Sequence, residues 1–269
     1  MGKRKAGRKM LDFHSHILPG LDDGAPDLET ALEMARIAVK DGIKKMVATP
    51  HFIEGSMENN RETILIAVAE FQKELNLKNI PLTILPGAEI YLAPDTPDLL
   101  KKGEIMTVNN MGKYILIELP MQSIPQYTED TLFELRLQEV VPIIAHPERN
   151  LELGRKPELI LEMVTKGCLL QINSGSLTGV YGEKVRNIAK FLVANDLIHL
   201  VGSDAHTTGR RSPVVCKSLE VIEGVNPGKV KEINKYAEFI LNAKDINPHI
   251  PSSIHGLKRG FWERLKTII

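Results

Sequence analysis

Thiols are scarce in this chain: cysteine occurs twice in 269 residues, as Cys168 and Cys216. The two are far apart and form no C-x-x-C, which excludes a disulfide framework and a thiolate zinc site and leaves both as buried apolar filler. No run of eighteen or more apolar residues occurs, so no transmembrane helix is expected. The start also lacks the apolar stretch of a secretory signal, and the chain reads as cytoplasmic. A surplus of either charge is missing too, since 34 Lys and Arg balance 34 Asp and Glu. A dedicated nucleic-acid binder needs a basic excess to neutralise phosphates, so no nucleic-acid partner is expected. What the chain does have is 43% hydrophobic residues, enough to bury a large core in one barrel-sized domain. Its charge is unevenly placed: Lys3, Arg4, Lys5, Arg8 and Lys9 crowd residues 1–9, read as a disordered basic extension or an upstream start.

The most informative stretch is Asp12-Phe13-His14-Ser15-His16-Ile17-Leu18-Pro19-Gly20-Leu21-Asp22-Asp23-Gly24. Side chains at i and i+2 of a strand share a face, so His14 and His16 can aim at one point, and the Pro-Gly turn lets Asp23 fold back towards it. Imidazole with carboxylate suits manganese, iron or zinc. His-x-His alone is a weak signal, but the rest of the chain repeats the arrangement.

Residues 10–14 read as a first strand, and Asp27 as the cap of a helix with Leu28, Ala31, Leu32, Ala35, Ala38 and Val39 on one face. A second strand, 45–51, ends in His51. A helix over 61–75 follows, then a third strand over 81–89, kinked at Pro86-Gly87 and ending in Glu89. The apolar run 113–117 leads into Glu118, a carboxylate that needs a metal or a cation if both faces of the strand are buried. After a helix over 128–139 the fifth strand, 141–146, ends in His146; the sixth is 169–173. A helix over 183–195 precedes the seventh strand, 198–206, which closes on Asp204 and His206. Seven apolar strands alternating with helices predict an α/β fold, a closed or nearly closed parallel barrel. Active sites of such barrels lie at the C-terminal strand ends. There His14, His16, Asp23, His51, Glu89, Glu118, His146, Asp204 and His206 would converge. Two closing helices, over 213–224 and 227–241, complete a domain spanning 10–244. Residues 245–269 read as a linker followed by an amphipathic helix, with Lys258, Arg259, Arg264 and Lys266 among Phe261, Trp262, Leu265, Ile268 and Ile269. That helix would pack on the barrel or a neighbouring subunit, or lie on an anionic membrane surface.

The motifs Asp12-Phe-His-Ser-His, Asp22-Asp-Gly, Ala48-Thr-Pro-His51, Pro86-Gly-Ala-Glu89, Ile117-Glu118, Ala145-His-Pro-Glu-Arg149, Asn173-Ser-Gly-Ser and Gly202-Ser-Asp-Ala-His206 resemble those of the PHP (polymerase and histidinol phosphatase) superfamily. Within it they are most similar to the bacterial manganese-dependent protein-tyrosine phosphatases of capsule and exopolysaccharide loci, the Asp-Asp-Gly singling out this subgroup. The resemblance implies a distorted (β/α)7 barrel of PHP type and a three-metal site loaded with Mn2+. His14, His16, Glu89 and Asp204 would hold the first ion, Glu89 with Glu118 and His146 the second, and Asp23, His51 and His206 the third. It also implies a substrate, the phosphotyrosine-bearing C-terminal tail of a bacterial tyrosine kinase.

Such a site would hydrolyse a phosphomonoester by in-line attack of a hydroxide bridging two ions. Arg149, with Arg210 or Arg211, would hold the phosphate through forked hydrogen bonds. Other phosphatase chemistries are excluded. Cys-x5-Arg is absent, since Ser174 and Ile222 stand six residues after the two cysteines, and no Asp-x-Asp offers a phospho-enzyme nucleophile. A histidinol-phosphate phosphatase with the same metals, or a polymerase-associated module, are the rival readings. The short loops and Asp23 weigh against the first, and a free-standing neutral chain against the second.

Overall fold

The computed structural model describes residues 10–252; the basic extension over 1–9 and the amphipathic segment over 257–269 lie outside the described residues. Met10–Ser15 (β1) starts the barrel, and Asp27 opens Leu28–Asp41 (α1) by accepting the Thr30 N–H at 2.8 Å. Ile43–Ala48 (β2) returns parallel to β1. Pro50 then breaks the strand, which resumes as His51–Ile53 (β3) and turns into the antiparallel Met57–Glu58 (β4). Asn60 caps Arg61–Leu77 (α2), which buries Ile64, Val68, Phe71 and Leu75 as its spacing predicts. The third predicted strand is likewise two pieces, Thr83–Pro86 (β5) on β2 and Glu89–Tyr91 (β6) on β3, parted at Gly87-Ala88.

Thr96–Lys102 (α3), Tyr114–Glu118 (β7), Thr128–Leu137 (α4), Val141–Ala145 (β8), Pro157–Thr165 (α5) and Leu169–Asn173 (β9) follow. Ser174–Thr178 (α6) and Glu183–Ala194 (α7) precede Leu200–Gly202 (β10), and Cys216–Val225 (α8) and Lys229–Leu241 (α9) close the fold. The parallel ladder runs β10-β9-β8-β7-β6-β3 in one sheet and β1-β2-β5 in the other. Backbone bonds from Asp204 N to His14 O (2.8 Å) and from His16 N to Ala205 O (2.9 Å) join β1 to the end of β10. With each broken strand taken as one, seven parallel strands form a closed, distorted barrel, the architecture expected. The breaks at Pro50 and at Pro86-Gly87 are the distortion, because proline cannot donate to a ladder.

One hydrophobic cluster joins barrel to helices. A second gathers Tyr114, Val141, Leu169 and Leu200, each the first residue of its strand, against Tyr236, Ala237, Ile240 and Leu241 of α9. α9 thus covers the N-terminal end of the barrel, and the C-terminal end stays open for chemistry. Among the described residues no helix is long and apolar enough to cross a membrane.

Candidate metal centre

Every candidate ligand except Asp23, which lies on the turn between β1 and α1, sits at or just past the C-terminal end of a barrel strand, the broken strands taken as one. His14 is the penultimate residue of β1 and His16 follows the strand; His51 and Glu89 stand opposite each other where the broken strands resume; Glu118 is the last residue of β7. His146 and Asp204 leave β8 and β10 with positive φ (32° and 53°), a conformation that non-glycine residues hold only when the surroundings enforce it. Two glycines permit the approach: a Cβ on Gly24 would overlap the His16 carbonyl, and one on Gly202 would overlap His14. Asp22 folds back to accept from Gly24 N (2.9 Å) and His51 N (3.0 Å), which fixes the turn carrying Asp23.

Proton positions follow from the partners. Gln171 Nε2 donates to Ile172 O and Asn173 Oδ1, so its Oε1 must accept from His14 Nδ1, 2.8 Å away. Asp22 Oδ2 can only accept, so His16 Nδ1 donates to it at 2.6 Å. Both Nε2 lone pairs therefore face inwards, 3.1 Å apart. Glu89 Oε2 lies 3.1 and 3.2 Å from them, and Asp204 Oδ1 lies 3.8 and 3.6 Å away. Four acceptor atoms pointing at one another would repel. Their spacing matches the edge of about 3.4 Å that four ligands at about 2.1 Å make around one divalent ion. The donor set fits a cation.

A second group forms on the other Glu89 oxygen. Oε1 is 2.8 Å from His146 Nε2, which is 3.7 Å from Glu118 Oε1. His51 Nδ1, buried and without a hydrogen bond among the described residues, faces Glu89 Oε2 at 3.4 Å and Glu118 Oε2 at 3.7 Å. In the third group Asp23 Oδ1 lies 3.6 Å from His51 Nε2 and 3.2 Å from His206 Nε2, while His206 Nδ1 donates to Asp204 O. Seven of the nine candidates fall into three overlapping groups, with His16, His51 and Glu89 each in two; His146 joins them through Glu89, and Asp204 through His14 and His16.

Burial pushes the Glu118 carboxyl up to about 7, helped by the negative charge of Glu89. Burial also opposes ionisation of Glu89, but contacts with His14, His146 and His16 outweigh it and hold that carboxyl well below its ordinary range. Burial lowers His51 and His206. It opposes charge on His16 as well, yet the Asp22 and Glu89 contacts prevail and raise its affinity for a proton. The cluster is a pool of buried anions and imidazoles that attracts cations.

Arg149 Nη1 donates to Asp204 Oδ2 (2.6 Å) and its guanidinium stacks 4.4 Å from the Tyr181 ring centroid. Arg211 Nη2 donates to Asp204 Oδ1 at 3.0 Å. Arg210 is exposed and turns away to the Val180 carbonyl, so of the two adjacent arginines Arg211 faces the cluster. Sequence reasoning left out Asp22, Gln171, Asn173 and Tyr181 as individual players. Asn173 Nδ2 donates to Asp204 Oδ2 at 2.7 Å. The signal for Gln171 and Asn173 was the one that exposed Glu118, a polar residue inside an apolar strand. Neither cysteine joins the site. Cys168 is buried at the opposite end of β9, its thiol pushed up to about 12 by burial, and Cys216 begins α8.

This geometry has relatives. A family model described as capsular polysaccharide synthesis, CpsB/CapC, matches residues 10–245. The tyrosine-protein phosphatase YwqE of Bacillus subtilis is 41% identical over 214 residues, 80% of this chain and 84% of that one. CapC of Staphylococcus aureus is 32% identical over 259 residues, 94% of this chain and 99% of its own. Among solved structures, a chain from the work on YwqE of B. subtilis and CpsB of Streptococcus pneumoniae, described as unique metal-dependent tyrosine phosphatases, superposes with a TM-score of 0.86 at 38% identity. That match covers 90% of this chain and 98% of the other.

Proposed function

Because the chain belongs to the CpsB/CapC family of capsular polysaccharide synthesis, we propose that it is a metal-dependent protein-tyrosine phosphatase. In the cytoplasm it hydrolyses phosphotyrosine on the C-terminal tail of a bacterial tyrosine kinase that regulates capsule or exopolysaccharide synthesis. The observation that carries this reading is the convergence of His14 Nε2, His16 Nε2, Glu89 Oε2 and Asp204 Oδ1 on one point at the spacing of ligands around a divalent ion. His14, His16, Glu89 and Asp204 would hold one ion, Glu89, Glu118 and His146 a second, and Asp23, His51 and His206 a third. Manganese suits this oxygen and nitrogen donor set without thiolate, and iron or zinc are the alternatives. Bound divalent ions supply Lewis acidity, which lowers the pKa of water towards neutrality and offsets the charge of phosphoryl oxygens.

The chain's own groups do the rest. Asp22 and Gln171 hold the imidazoles of His16 and His14 in one tautomer, so no rearrangement is needed at the moment of reaction. Arg149 and Arg211 extend beyond Asp204 to the rim, where planar guanidiniums can grip two phosphate oxygens each. Tyr181 stiffens the first of them by stacking. Tyrosinate leaves readily, with a parent pKa of about 10, so a strong general acid is not required. The Asp23 side chain is 57% exposed, which suits a tyrosine presented on a peptide better than a small amino alcohol sealed in a pocket. The test compares a phosphotyrosine peptide with histidinol phosphate under added manganese. Faster turnover of the peptide is expected, and hydrolysis of histidinol phosphate alone would refute the substrate assignment.

A further inference from the structure

On the flank of the barrel α4 and α5 stand over a groove of about 830 Å³. Leu132, Phe133 and Leu137 of α4 line it with Leu159 and Met163 of α5. Phe133 and Leu137, four residues apart and so on one helix face, are 60% and 67% exposed. Single exposed apolar side chains are ordinary, whereas two large ones beside a groove of this size mark a surface that something covers. Around the rim Glu129 pairs with Lys166 and Glu152 with Lys156, and Arg136 donates to Gly167 O, which leaves Asp130 and Glu162 without an ion pair among the described residues. An occupant that is apolar on one side with cations at its edge can meet them.

The chain carries such a segment, and Lys244 and Asp245, shortly before the end of the described residues, are held near the C-terminal end of α4. Tyr114 Oη donates to Lys244 O at 2.7 Å, and Lys113 Nζ pairs with Asp245 at 2.7 Å. Lys113 O in turn accepts from Val141 N at 2.8 Å. Val141 lies just past the end of α4, where Arg136 and Leu137 line the groove. Phe261, Trp262, Leu265, Ile268 and Ile269 recur at helical spacing among Lys258, Arg259, Arg264 and Lys266. From Asp245 to Phe261 an extended chain reaches about 50 Å at roughly 3.3 Å per residue, well beyond the ~15 Å length of α4. A tether this short holds the segment at an effective concentration of about a millimolar, which favours the chain's own groove over that of a second copy in dilute solution.

We infer that residues 257–269 dock in the α4–α5 groove of the same molecule, Phe261, Trp262 and Leu265 against its apolar floor and the cations towards Asp130 and Glu162. Trp262 is the only tryptophan, so its fluorescence reports the contact in the intact chain. The emission is expected at shorter wavelength than that of tryptophan in water and unchanged on dilution. Phe133→Glu and Leu137→Glu, both at exposed positions, should leave the circular dichroism unchanged and each shift the emission to the water value and raise acrylamide quenching severalfold. Water-like emission from the intact chain overturns the inference, as does short-wavelength emission that neither variant moves. Emission that reddens on dilution while the mass halves in light scattering assigns the groove to a second copy instead. Emission that turns blue only with phosphatidylserine vesicles assigns the segment to a membrane, and either result also overturns the inference.

Discussion

Replacing Asp22 with asparagine tests how the centre is held together without touching a proposed ligand. Asp22 Oδ2 accepts from His16 Nδ1 (2.6 Å) and His51 N (3.0 Å), and Oδ1 accepts from Gly24 N (2.9 Å). One asparagine oxygen can keep the first two bonds, but its amide nitrogen then faces the Gly24 N–H, donor against donor. An unsatisfied, largely buried donor costs about 1–3 kcal/mol, and the His16 bond also loses its charge assistance. A total near 2 kcal/mol corresponds to roughly a 30-fold weaker hold on the metal, within the range of about 10–100-fold found for residues that orient metal-bound histidines. Manganese titration against a competing chelator measures this on purified Asp22→Asn, with thermal unfolding as the check on the fold. Affinity within about twofold of wild type would show that Asp22 does not orient His16, and the reasoning from tautomers would fail.

The remaining expectations are separable. Arg149→Ala and Arg211→Ala should each lower kcat/KM by about 10–100-fold while metal content stays constant, a loss of about 1.4–2.8 kcal/mol of transition-state binding; Arg210→Ala should stay near wild type. A fall in bound metal in step with activity would show that the arginines support the ligands instead. Cys168→Ala with Cys216→Ala should leave turnover nearly unchanged, and a loss beyond about tenfold with the fold intact would bring thiol chemistry back. His199 is buried and holds its proton only at about 3, because burial and the charge of Lys229 disfavour the imidazolium. Its folded pKa is depressed, so the unfolded state takes up the proton first. Its contribution is intact above the ordinary value of about 6.5 and lost as pH falls towards 3. Between pH 7 and pH 5 this group alone should remove about 2 kcal/mol of stability. Urea midpoints of wild type and His199→Gln, whose amide oxygen can still accept from Leu170 N, should converge as pH falls; parallel curves would refute the assignment.

Much of the fold was legible because its signals are local. Each strand is a short apolar run between turn residues, and Asp27, Asn60 and the spacing of Ile64, Val68, Phe71 and Leu75 mark helices by their own chemistry. The short helices α3, α5 and α6 escaped notice, since fewer than ten residues give periodicity little room. The division of two strands at Pro50 and Pro86-Gly87 was visible as a kink at most, because the partner on each side of a break is set by pairing with distant strands. At the site, histidines and carboxylates stood out as charged groups where apolar runs end. Gln171 and Asp22 matter through the hydrogen bonds they make to His14 and His16, and those directions exist only after the chain has folded. Arg210 and Arg211 differ in role for the same reason: adjacent and chemically identical, one meets Val180 and the other Asp204.

The most direct test of the metal centre is metal content measured alongside phosphotyrosine-peptide hydrolysis through chelation and reloading. Activity should vanish as the ions are stripped and return with manganese, saturating near three equivalents per chain, because His14, His16, Asp23, His51, Glu89, Glu118 and His206 fall into three overlapping groups and no thiol is placed to act in their stead. Undiminished hydrolysis by exhaustively chelated protein would contradict the account.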